Sequence, residues 1–449
     1  DSTPGVDVIL PDLKFIAERR DKLAGLVLTH GHEDHLGAIP YLWSQIGCPV
    51  YGSAFTLALL RRKLAESRGD FEVPLHEMGM NAPRQIGAFE VEMIALNHSI
   101  PDPAALAIRS DAGTILHTGD WKFDKTPILG SDTDQSRLRD VGDAGVLAMV
   151  GDSTNAMVEG RTGSENDAQQ GLSAAMATAS GRIAVTCFAS NVARIQSICM
   201  AAQANGRSVA VVGRALNRAI SAAREVGYLT DLPDLVPESD IDLLPPAALV
   251  VICTGTQGEP RAAMARIAAG THETVSLQEG DTVIYSSRQI PGNETAIARV
   301  QDMLIRRNIN LITDQDAPVH VSGHPSRDEM VDMYGLVRPK IAIPVHGTAR
   351  HLQAHAELAK ACQVQQTLLP DNGVMIRLSG SEAAIIDNVH IGAMTSEKGN
   401  IIELQSETLR ARRRMLWNGA VTVSGILNQS GHLCALPCVA RTGPGGAAA

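Results

Sequence analysis

The chain has 449 residues, of which 44% are hydrophobic, and these values are typical of a globular protein with two or three domains. Its 39 basic and 49 acidic residues give a formal net charge of -10, which argues against a protein that coats nucleic acid through a broad basic surface. No apolar run approaches the roughly 20 residues of a membrane-spanning helix, so we expect no membrane partner.

The charge balance does not exclude an enzyme that holds a few phosphates in a cleft, where bound divalent cations are the largest local positive charges. The seven cysteines are an odd number and form no CxxC pair. They indicate buried, reduced thiols in a cytoplasmic protein rather than a disulfide framework.

The first third of the chain alternates short apolar runs with amphipathic segments, which is the pattern of an α/β fold. Residues 25–29 are predicted to form a buried strand. A histidine-rich loop follows, and then a helix over residues 39–46. Further strands are predicted over residues 91–96, 114–117 and 146–150.

A second α/β unit is predicted to begin near Ser164. Its strands are expected at 183–187, 208–212, 249–253 and 282–285, and its helices at 192–204, 217–226 and 261–268. Prolines at positions 233, 237, 245 and 246 mark a long connection inside this unit.

After about His324 the pattern returns to strands that end in polar residues, with residues 340–345 leading into His346. One fold interrupted by an inserted domain explains this order better than two domains in series. We therefore predict a first part over residues 1–163, an insert over 164–324, a second part over 325–408, and a linker with the start of a C-terminal domain over 409–449. From Arg410 we expect a linker and a strand pair, with disorder in the Gly-, Pro- and Ala-rich end.

The strongest motif is His30-Gly31-His32-Glu33-Asp34-His35, which directly follows an apolar run. Residues two apart at the end of a strand point the same way, so His30 and His32 can hold one ion. Asp34 and His35 offer a carboxylate and an imidazole to a second ion. This donor set without thiolate suits catalytic Zn²⁺ as the first candidate and Mn²⁺ as the second.

Four ligands do not complete two metal sites, so further ligands are expected at other strand ends. Three candidates each follow an apolar strand and precede small or turn residues: His98, Asp120 and His346. We interpret His117 as structural or as a support for a ligand. His351 and His355 are predicted to lie on a partly exposed helix face.

The pattern HxHxDH followed by separate His, Asp and His motifs resembles the metallo-β-lactamase superfamily. The resemblance implies an α/β sandwich of the αββα type in which His30, His32 and His98 hold one ion. Asp34, His35 and His346 would then hold the other ion, and Asp120 would bridge both.

The segment between Asp152 and His324 resembles the β-CASP insert of the nucleic-acid-processing members of that superfamily. Asp152 matches their acidic motif and His324 their late histidine motif. Four further segments resemble ribonuclease J in particular: residues 187–191, 254–260, 286–294 and 344–348. The resemblance also implies opening strands ahead of Asp1 and a longer C-terminal domain.

This resemblance implies a ribonuclease that combines 5′-to-3′ exonuclease action on 5′-monophosphate ends with endonuclease action, in mRNA decay and rRNA maturation. Two cations lower the pKa of water and neutralise the charge that develops on the phosphate. Asp34 or Asp120 would orient the attacking water. His324 would stabilise the phosphate or protonate the leaving oxygen, although it also fits a structural role at the domain junction.

Asp152 is expected to hydrogen-bond a ligand histidine and so fix its tautomer. Ser322, Gly323 and His324 form a short turn whose donors suit a phosphate, and the resemblance implies that it receives the 5′-monophosphate.

Phe188 would stack on a base or belong to the core, while Ser190 and Asn191 would make polar contacts with RNA. The chain has only six Phe, five Tyr and three Trp, so a general stacking platform for single strands is not expected.

Three alternative functions make different demands on the sequence. A hydrolase of small esters or thioesters would need no large insert and no Asp152 or His324 motif. A catalytically inactive RNA-binding paralogue or fragment would be expected to lack some ligands, yet all seven are present. A DNA-processing member of the insert family cannot be distinguished from sequence, since contacts to the 2′-hydroxyl are not visible there. The resemblance further implies a homodimer or homotetramer and partners in RNA decay.

Overall fold

The structure is a computed structural model that describes residues 5–67, 71–379, 382–397 and 399–442. It is an α/β protein, as the sequence predicts. In the described part of the chain, no helix combines the length and the apolarity needed to cross a lipid bilayer.

The part of the chain before the predicted insert builds strands and short helices in alternation. Its elements are β1 (Leu10–Pro11), α1 (Lys14–Ala17), β2 (Leu26–Val27), α2 (Glu33–Leu36), α3 (Ile39–Ile46), β3 (Val50–Gly52), α4 (Ala54–Glu66), β4 (Leu75–Glu77), β5 (Arg84–Ile86), β6 (Phe89–Ala95), β7 (Ala104–Ser110), β8 (Gly113–His117), α5 (Gln135–Ala144) and β9 (Ala148–Asp152).

The predicted insert follows a regular order of strand and helix. Its elements are α6 (Glu165–Thr178), β10 (Ile183–Thr186), α7 (Val192–Ala204), β11 (Ser208–Val212), α8 (Arg214–Glu225), β12 (Leu249–Cys253), α9 (Ala263–Ala268), β13 (Thr282–Tyr285), α10 (Glu294–Ile305) and β14 (Asn310–Ile312). Three strands and α7 have the predicted bounds, whereas α8 begins three residues earlier than predicted and α9 two residues later.

The remaining chain returns to the first unit and then extends beyond it. Its elements are α11 (Arg327–Val337), β15 (Ile341–Val345), α12 (Ala349–Ala361), β16 (Gln366–Thr367), β17 (Val374–Arg377), β18 (Ala384–Asn388), β19 (Ala393–Glu397), β20 (Asn400–Glu403), α13 (Glu407–Asn418), β21 (Ala420–Ser424) and β22 (Cys438–Thr442).

Sheet topology explains why distant segments meet at one edge. The largest sheet has the order β16-β15-β9-β8-β7-β6-β5, so strands from both sides of the insert are neighbours. β9 runs parallel to β8 and to β15, with Val345 beside Asp152. Because parallel strands end at the same edge, the residues that follow β8, β9 and β15 lie together.

The insert forms a parallel five-stranded sheet with the order β11-β12-β10-β13-β14. Strands β10 to β13 are almost completely buried, whereas the edge strand β14 is only partly buried, as expected for a parallel sheet covered by helices on both faces. One hydrophobic cluster contains Leu28 and Phe55 of the first unit together with Leu172 and Ile195 of the insert. The two units therefore share a core.

The C-terminal region differs in part from the prediction. The sequence predicts a linker at positions 410–414, but the structure places them inside α13. Arg, Leu, Met and Glu are strong helix formers, and Leu409 is buried, which anchors this helix. The predicted strand pair is present as antiparallel β21 and β22, while residues 443–449 lie outside the described residues.

All seven cysteines are unpaired, but they are not all buried as predicted. Cys48, Cys187, Cys199 and Cys253 lie in the core, whereas Cys362 is half-buried and Cys434 and Cys438 are exposed.

Candidate metal centre

The histidine-rich loop connects β2 to the short helix α2. His30 and His32 lie between these two elements, with His32 immediately before α2, and Asp34 and His35 lie in the helix itself. His30 is completely buried and Thr29 Oγ1 lies 3.1 Å from its Nδ1, which leaves Nε2 for the site. Because the chain turns into α2 here, His30 and His32 lie in one group of candidate ligands, and Asp34 and His35 lie in a second group beside it.

The first cluster of ligand atoms consists of three imidazoles. His32 Nδ1 lies 3.1 Å from His30 Nε2 and 3.0 Å from His98 Nε2. Two nitrogen ligands of a tetrahedral Zn²⁺, each 2.0–2.1 Å from the ion, lie about 3.3 Å apart. The spacing of these nitrogens therefore fits a shared cation.

The second cluster combines carboxylates with imidazoles. Asp34 Oδ2 lies 3.5 Å from His35 Nε2 and 3.5 Å from His346 Nε2. His346 has φ of 58°, a conformation that non-glycine residues seldom adopt and that is common at functional sites. The turn after β15 thus holds this imidazole beside the carboxylate of Asp34.

Asp120 lies between the two clusters. Its Oδ2 is 3.8 Å from His30 Nε2, 3.9 Å from His98 Nε2 and 3.4 Å from His35 Nε2. Its ligand atoms fall within 4.8 Å of the other members of both groups. A carboxylate in this position can bind two ions at once, as a two-metal site requires.

The protonation states of the first cluster suit metal binding. Burial lowers the pKa of His30 and His98 well below their usual value, and it lowers the pKa of His32 to about 4. These rings are therefore neutral at pH 7 and their lone pairs are available to a metal.

In the second cluster, the carboxylates favour the protonated form of a neighbouring histidine. Hydrogen bonds with Asp152 and Asp34 raise the pKa of His346 to about 11. Burial alone would raise the pKa of Asp34, but the hydrogen bond with His346 and the neighbouring histidines outweigh it and lower that pKa. The carboxylates of Asp34, Asp120 and Asp152 thus create a negative potential that favours a cation.

His98 is oriented from outside the first cluster. Its Nδ1 donates a hydrogen bond to the carbonyl oxygen of Gly323 at 2.6 Å, so the lone pair of the neutral ring is on Nε2, which faces the site. The segment that carries His324 therefore fixes the tautomer of a predicted metal ligand, and such contacts raise ligand basicity and affinity.

Replacing Gly323 by alanine is expected to weaken binding of the ion held by His98. A Cβ at this position would lie 2.7 Å from His98 Nδ1 and 2.8 Å from its Cε1, so the ring must move. We expect roughly tenfold weaker binding, measured by competition with a chelator. Gly335→Ala is the matched control, because its Cβ would meet no atom within 4 Å; equal affinities in the two variants would contradict the prediction.

His324 and Asp152 form a pair beside both clusters. His324 Nδ1 lies 2.7 Å from Asp152 Oδ2, whereas His346 Nδ1 lies 3.4 Å from Asp152 Oδ1. Burial alone would lower the pKa of His324, but the charge and hydrogen bond of Asp152 outweigh it and raise that pKa. Asp152 thus contacts the predicted ligand histidine, yet its shorter bond is to His324.

Sequence comparisons identify the family to which this arrangement belongs. A beta-lactamase superfamily domain matches residues 4–137, and the beta-CASP domain of ribonuclease J matches residues 180–304. A Zn-dependent metallo-hydrolase RNA specificity domain matches residues 317–367. Ribonuclease J of Sinorhizobium meliloti is 44% identical over 425 residues, which are 95% of this chain and 75% of that protein.

The chain belongs to the ribonuclease J family. Ribonuclease J of Mycolicibacterium smegmatis is 43% identical over 430 residues, covering 95% of this chain and 76% of that protein. Ribonuclease J2 of Bacillus subtilis is 34% identical over 443 residues, covering 98% and 80%. The resemblance inferred from the motifs is thereby confirmed, and it supports assignment of the chain as a ribonuclease and thus a hydrolase.

One solved structure has a fold similar to that of this chain. A protein of unknown function from Enterococcus faecalis V583 has a TM-score of 0.55 and 18% sequence identity, with 81% of each chain covered. At this identity the likeness concerns the fold alone. The predicted metallo-β-lactamase fold with an inserted β-CASP domain is confirmed by the matching families.

The predicted phosphate-binding turn has two donors that remain available in this ribonuclease J family member. Ser322 Oγ accepts hydrogen bonds from Asn155 Nδ2 at 2.9 Å and from the His324 N–H at 3.2 Å, so its hydroxyl proton is not used there. In the described part of the chain, the Gly323 N–H has no acceptor. Phosphate binding by this turn stays a prediction.

The residues predicted to contact RNA lie between β10 and α7. Phe188 and Ser190 are half-buried, but Asn191 is buried and its Oδ1 accepts a hydrogen bond from Arg194 N at 2.9 Å. This oxygen caps α7, so it has a structural partner already. Among the described residues, no hydrogen bond or ion pair joins these three to the metal cluster, and their contacts with RNA stay predictions.

The other histidines have structural surroundings. His117 Nδ1 accepts from Gly119 N at 3.0 Å and so supports the turn before Asp120. His351 is half-buried and caps α12. The prediction of a partly exposed position is wrong for His355, which is 2% exposed, because Ser153 and Tyr334 cover it and supply partners at 2.8 and 2.9 Å.

His355 makes a specific contribution to acid stability. Burial lowers the pKa of His355 to about 4, below the roughly 6.5 of the unfolded chain, so its stabilising effect is present above pH 6.5 and is lost as pH falls towards 4. At pH 5 the loss is about 2 kcal/mol. Urea unfolding at pH 7 and pH 5 should show that wild type loses this much more stability than His355→Gln; equal losses would contradict it.

Two residues that organise the site are not indicated by the ligand motifs in the sequence. Thr154 Oγ1 lies 3.0 Å from His346 Nδ1 and donates to Asp152 Oδ1 at 2.7 Å. Glu329 is completely buried beneath the segment that carries His324. The Ser326-x-x-Glu329 spacing is a capping-box signal that would have indicated its place in a helix start, but not its further partners.

Proposed function

We propose that this chain hydrolyses RNA phosphodiester bonds with two divalent cations. It would act as a 5′-to-3′ exonuclease that favours 5′-monophosphate ends and also as an endonuclease, in mRNA decay and rRNA maturation. The observation that carries the proposal is the convergence of seven predicted ligands into two groups that share Asp120.

The donor set fits two ions of the Zn²⁺ type, with Mn²⁺ as the second candidate. The nitrogens of His30, His32 and His98 would hold one ion. The second ion would be held by three other side chains, namely Asp34, His35 and His346, with Asp120 shared by both. When bound, the ions lower the pKa of water and neutralise charge on the phosphate.

The protein's own groups position the reactants around this centre. Asp152 engages His324 Nδ1, so Nε2 is the nitrogen left to the substrate. The raised pKa of His324 favours the form in which Nε2–H can donate to a phosphate oxygen or to the leaving oxygen. Asp34 and Asp120 are placed to orient the attacking water.

The phosphate end would be received by the turn at Ser322 and Gly323. The Gly323 N–H, which has no acceptor among the described residues, and the Ser322 hydroxyl are donors of the kind that bind phosphate oxygens. Both lie in the segment whose carbonyl orients His98. A terminal phosphate held here would set the distance from the 5′ end to the metal centre, and hence the length of each released product.

The deciding experiment compares two RNAs of one sequence, one with a 5′-monophosphate and one with a 5′-hydroxyl, both labelled at the 3′ end. We expect the 3′-labelled RNA to shorten one nucleotide at a time from its 5′ end, faster for the monophosphate, with labelled fragments from internal cuts in both. DNA of the same sequence tests the DNA-processing alternative. Binding of RNA without cleavage in Zn²⁺ or Mn²⁺ would instead support an inactive RNA-binding paralogue.

Assembly and location complete the proposal. The chain is proposed to act in the cytoplasm as a homodimer or homotetramer with partners in RNA decay. Light scattering coupled to size-exclusion chromatography tests the oligomer directly, and a monomer at micromolar concentration would contradict it.

A further inference from the structure

Glu329 is a completely buried carboxylate with no ion pair to a cation in the part of the chain that the structure describes. It is the third residue of α11 and is 0% exposed. Among the described residues, no lysine or arginine forms an ion pair with it. A buried carboxylate is costly unless its oxygens are well hydrogen-bonded, so its partners identify what it does.

Its partners are three backbone N–H groups from three separate segments. Glu329 Oε1 accepts from Phe123 at 2.8 Å, while Oε2 accepts from Thr162 at 2.7 Å and from Ser326 at 3.0 Å. Only the bond with Ser326 belongs to the capping of α11. The bonds with Phe123 and Thr162 join Glu329 to segments outside α11 and play no part in capping this helix.

Two of the three segments carry the proposed chemistry. Phe123 follows Asp120 by three residues, and Ser326 follows His324 by two. Thr162 lies in the connection between β9 and α6. One carboxylate therefore ties the bridging ligand's segment to the segment of the proposed acid.

The network continues from Thr162 to His324 itself. Thr162 Oγ1 donates to the His324 carbonyl oxygen at 2.8 Å and lies 3.1 Å from Ser326 Oγ. Asn155 Nδ2 donates to the same carbonyl at 3.0 Å. The backbone of His324 is thus held by Thr162, which Glu329 holds in turn, and by Asn155.

We propose that Glu329 is a positioning residue for His324, whose carboxylate sets the separation between the segments of His324 and Asp120. The inference rests on the proposed function and adds to it a residue that touches neither substrate nor metal. Misplacement of a reacting group by about 1 Å costs roughly 10²-fold in rate, so a small shift of this segment is enough to matter.

The test is Glu329→Gln in the full chain. Glutamine keeps the size but replaces one acceptor oxygen by an NH₂ group that faces a backbone N–H. We expect kcat for RNA to fall roughly 10- to 100-fold with KM within about twofold. Elemental analysis should still find two ions per chain.

Glu92→Gln is the matched control for a merely structural effect. Glu92 is also 0% exposed, but it lies in β6 and pairs with Arg109 and Arg137. We expect this variant to lower Tm while kcat per metal-loaded chain stays unchanged. Glu329→Gln should instead lower kcat per metal-loaded chain, in addition to any loss of Tm from the unpaired backbone N–H.

Hydrogen exchange gives a readout that needs neither metal nor activity. In the metal-free protein, the amides of Phe123, Thr162 and Ser326 should exchange faster in Glu329→Gln than in wild type. Should Glu329→Gln fail to fold, Thr162→Val removes only the hydroxyl that donates to His324. It should lower kcat several-fold with the amides still protected.

The outcomes separate this inference from the proposed function. A kcat of Glu329→Gln within twofold of wild type, or a loss that only follows loss of metal, overturns the positioning role. An unchanged kcat in Thr162→Val overturns it as well. If wild type cleaves no RNA, the proposed function fails, and unchanged exchange of the three amides would independently show that Glu329 does not hold these segments.

Discussion

Replacing His32 and Asp34 together by alanine is expected to lower kcat for 5′-monophosphorylated RNA by roughly 10³- to 10⁴-fold. The double variant removes one ligand from each cluster, because His32 belongs with His30 and His98 and Asp34 with His35 and His346. Metal catalysis supplies several kcal/mol of transition-state stabilisation, and each 1.36 kcal/mol corresponds to a factor of ten.

The measurement pairs single-turnover cleavage with elemental analysis of bound metal. The fold should persist, since Asp34 is largely exposed and the strands that build the site do not depend on it. His390→Ala with Asp12→Ala is the matched control, because these two side chains form a His–Asp hydrogen bond of 2.7 Å outside the cluster. Cleavage by the His32 and Asp34 variant at the rate of that control would refute the metal mechanism.

The ligand positions were predictable because their signals are local. A short apolar strand followed by closely spaced His and Asp residues indicates donors at a sheet edge. Parallel pairing of β8, β9 and β15 then brings Asp120, Asp152 and His346 together. The sequence therefore predicts side chains that meet at one edge of the sheet, while their role as metal ligands stays a prediction.

Partners that come from distant segments were not predictable in this way. The i, i+4 spacing of His351 and His355 contains no information about Ser153 and Tyr334, which bury His355. The polarity of Asn191 suggests a contact with RNA, although Asn is also a preferred N-cap residue. The helix at 407–418 is not predictable from its run of arginines, because such runs are common in both linkers and helices.

The net charge of -10 is compatible with RNA hydrolysis once the site is considered separately. Asp34, Asp120 and Asp152 converge on one small region, so this region by itself repels phosphate. Two divalent cations would reverse the sign of the local potential. The overall net charge therefore does not decide whether the substrate is RNA, because the positive charges of bound cations would not appear in the amino-acid composition.

Replacing His324 by alanine is expected to lower kcat by roughly 10²- to 10³-fold, within the range that a positioned acid contributes, while both ions stay bound. His324 is outside the two predicted ligand groups that share Asp120, although its ring centroid lies 4.9 Å from that of His98 and 5.6 Å from that of His346. Its removal therefore takes away a donor at the phosphate and leaves the six other imidazole and carboxylate side chains around Asp120 in place.

Asp152→Asn should reproduce part of this loss, because an amide supplies no negative charge to keep His324 protonated. His76→Ala is the matched control: His76 is also half-buried and stacks on an aromatic ring, Tyr51, with centroids 5.1 Å apart. Turnover of His324→Ala equal to that of His76→Ala would remove the catalytic role. A loss of turnover in step with lost metal would instead place His324 among the ligands, as its grouping with Asp120, Asp152 and His346 also permits.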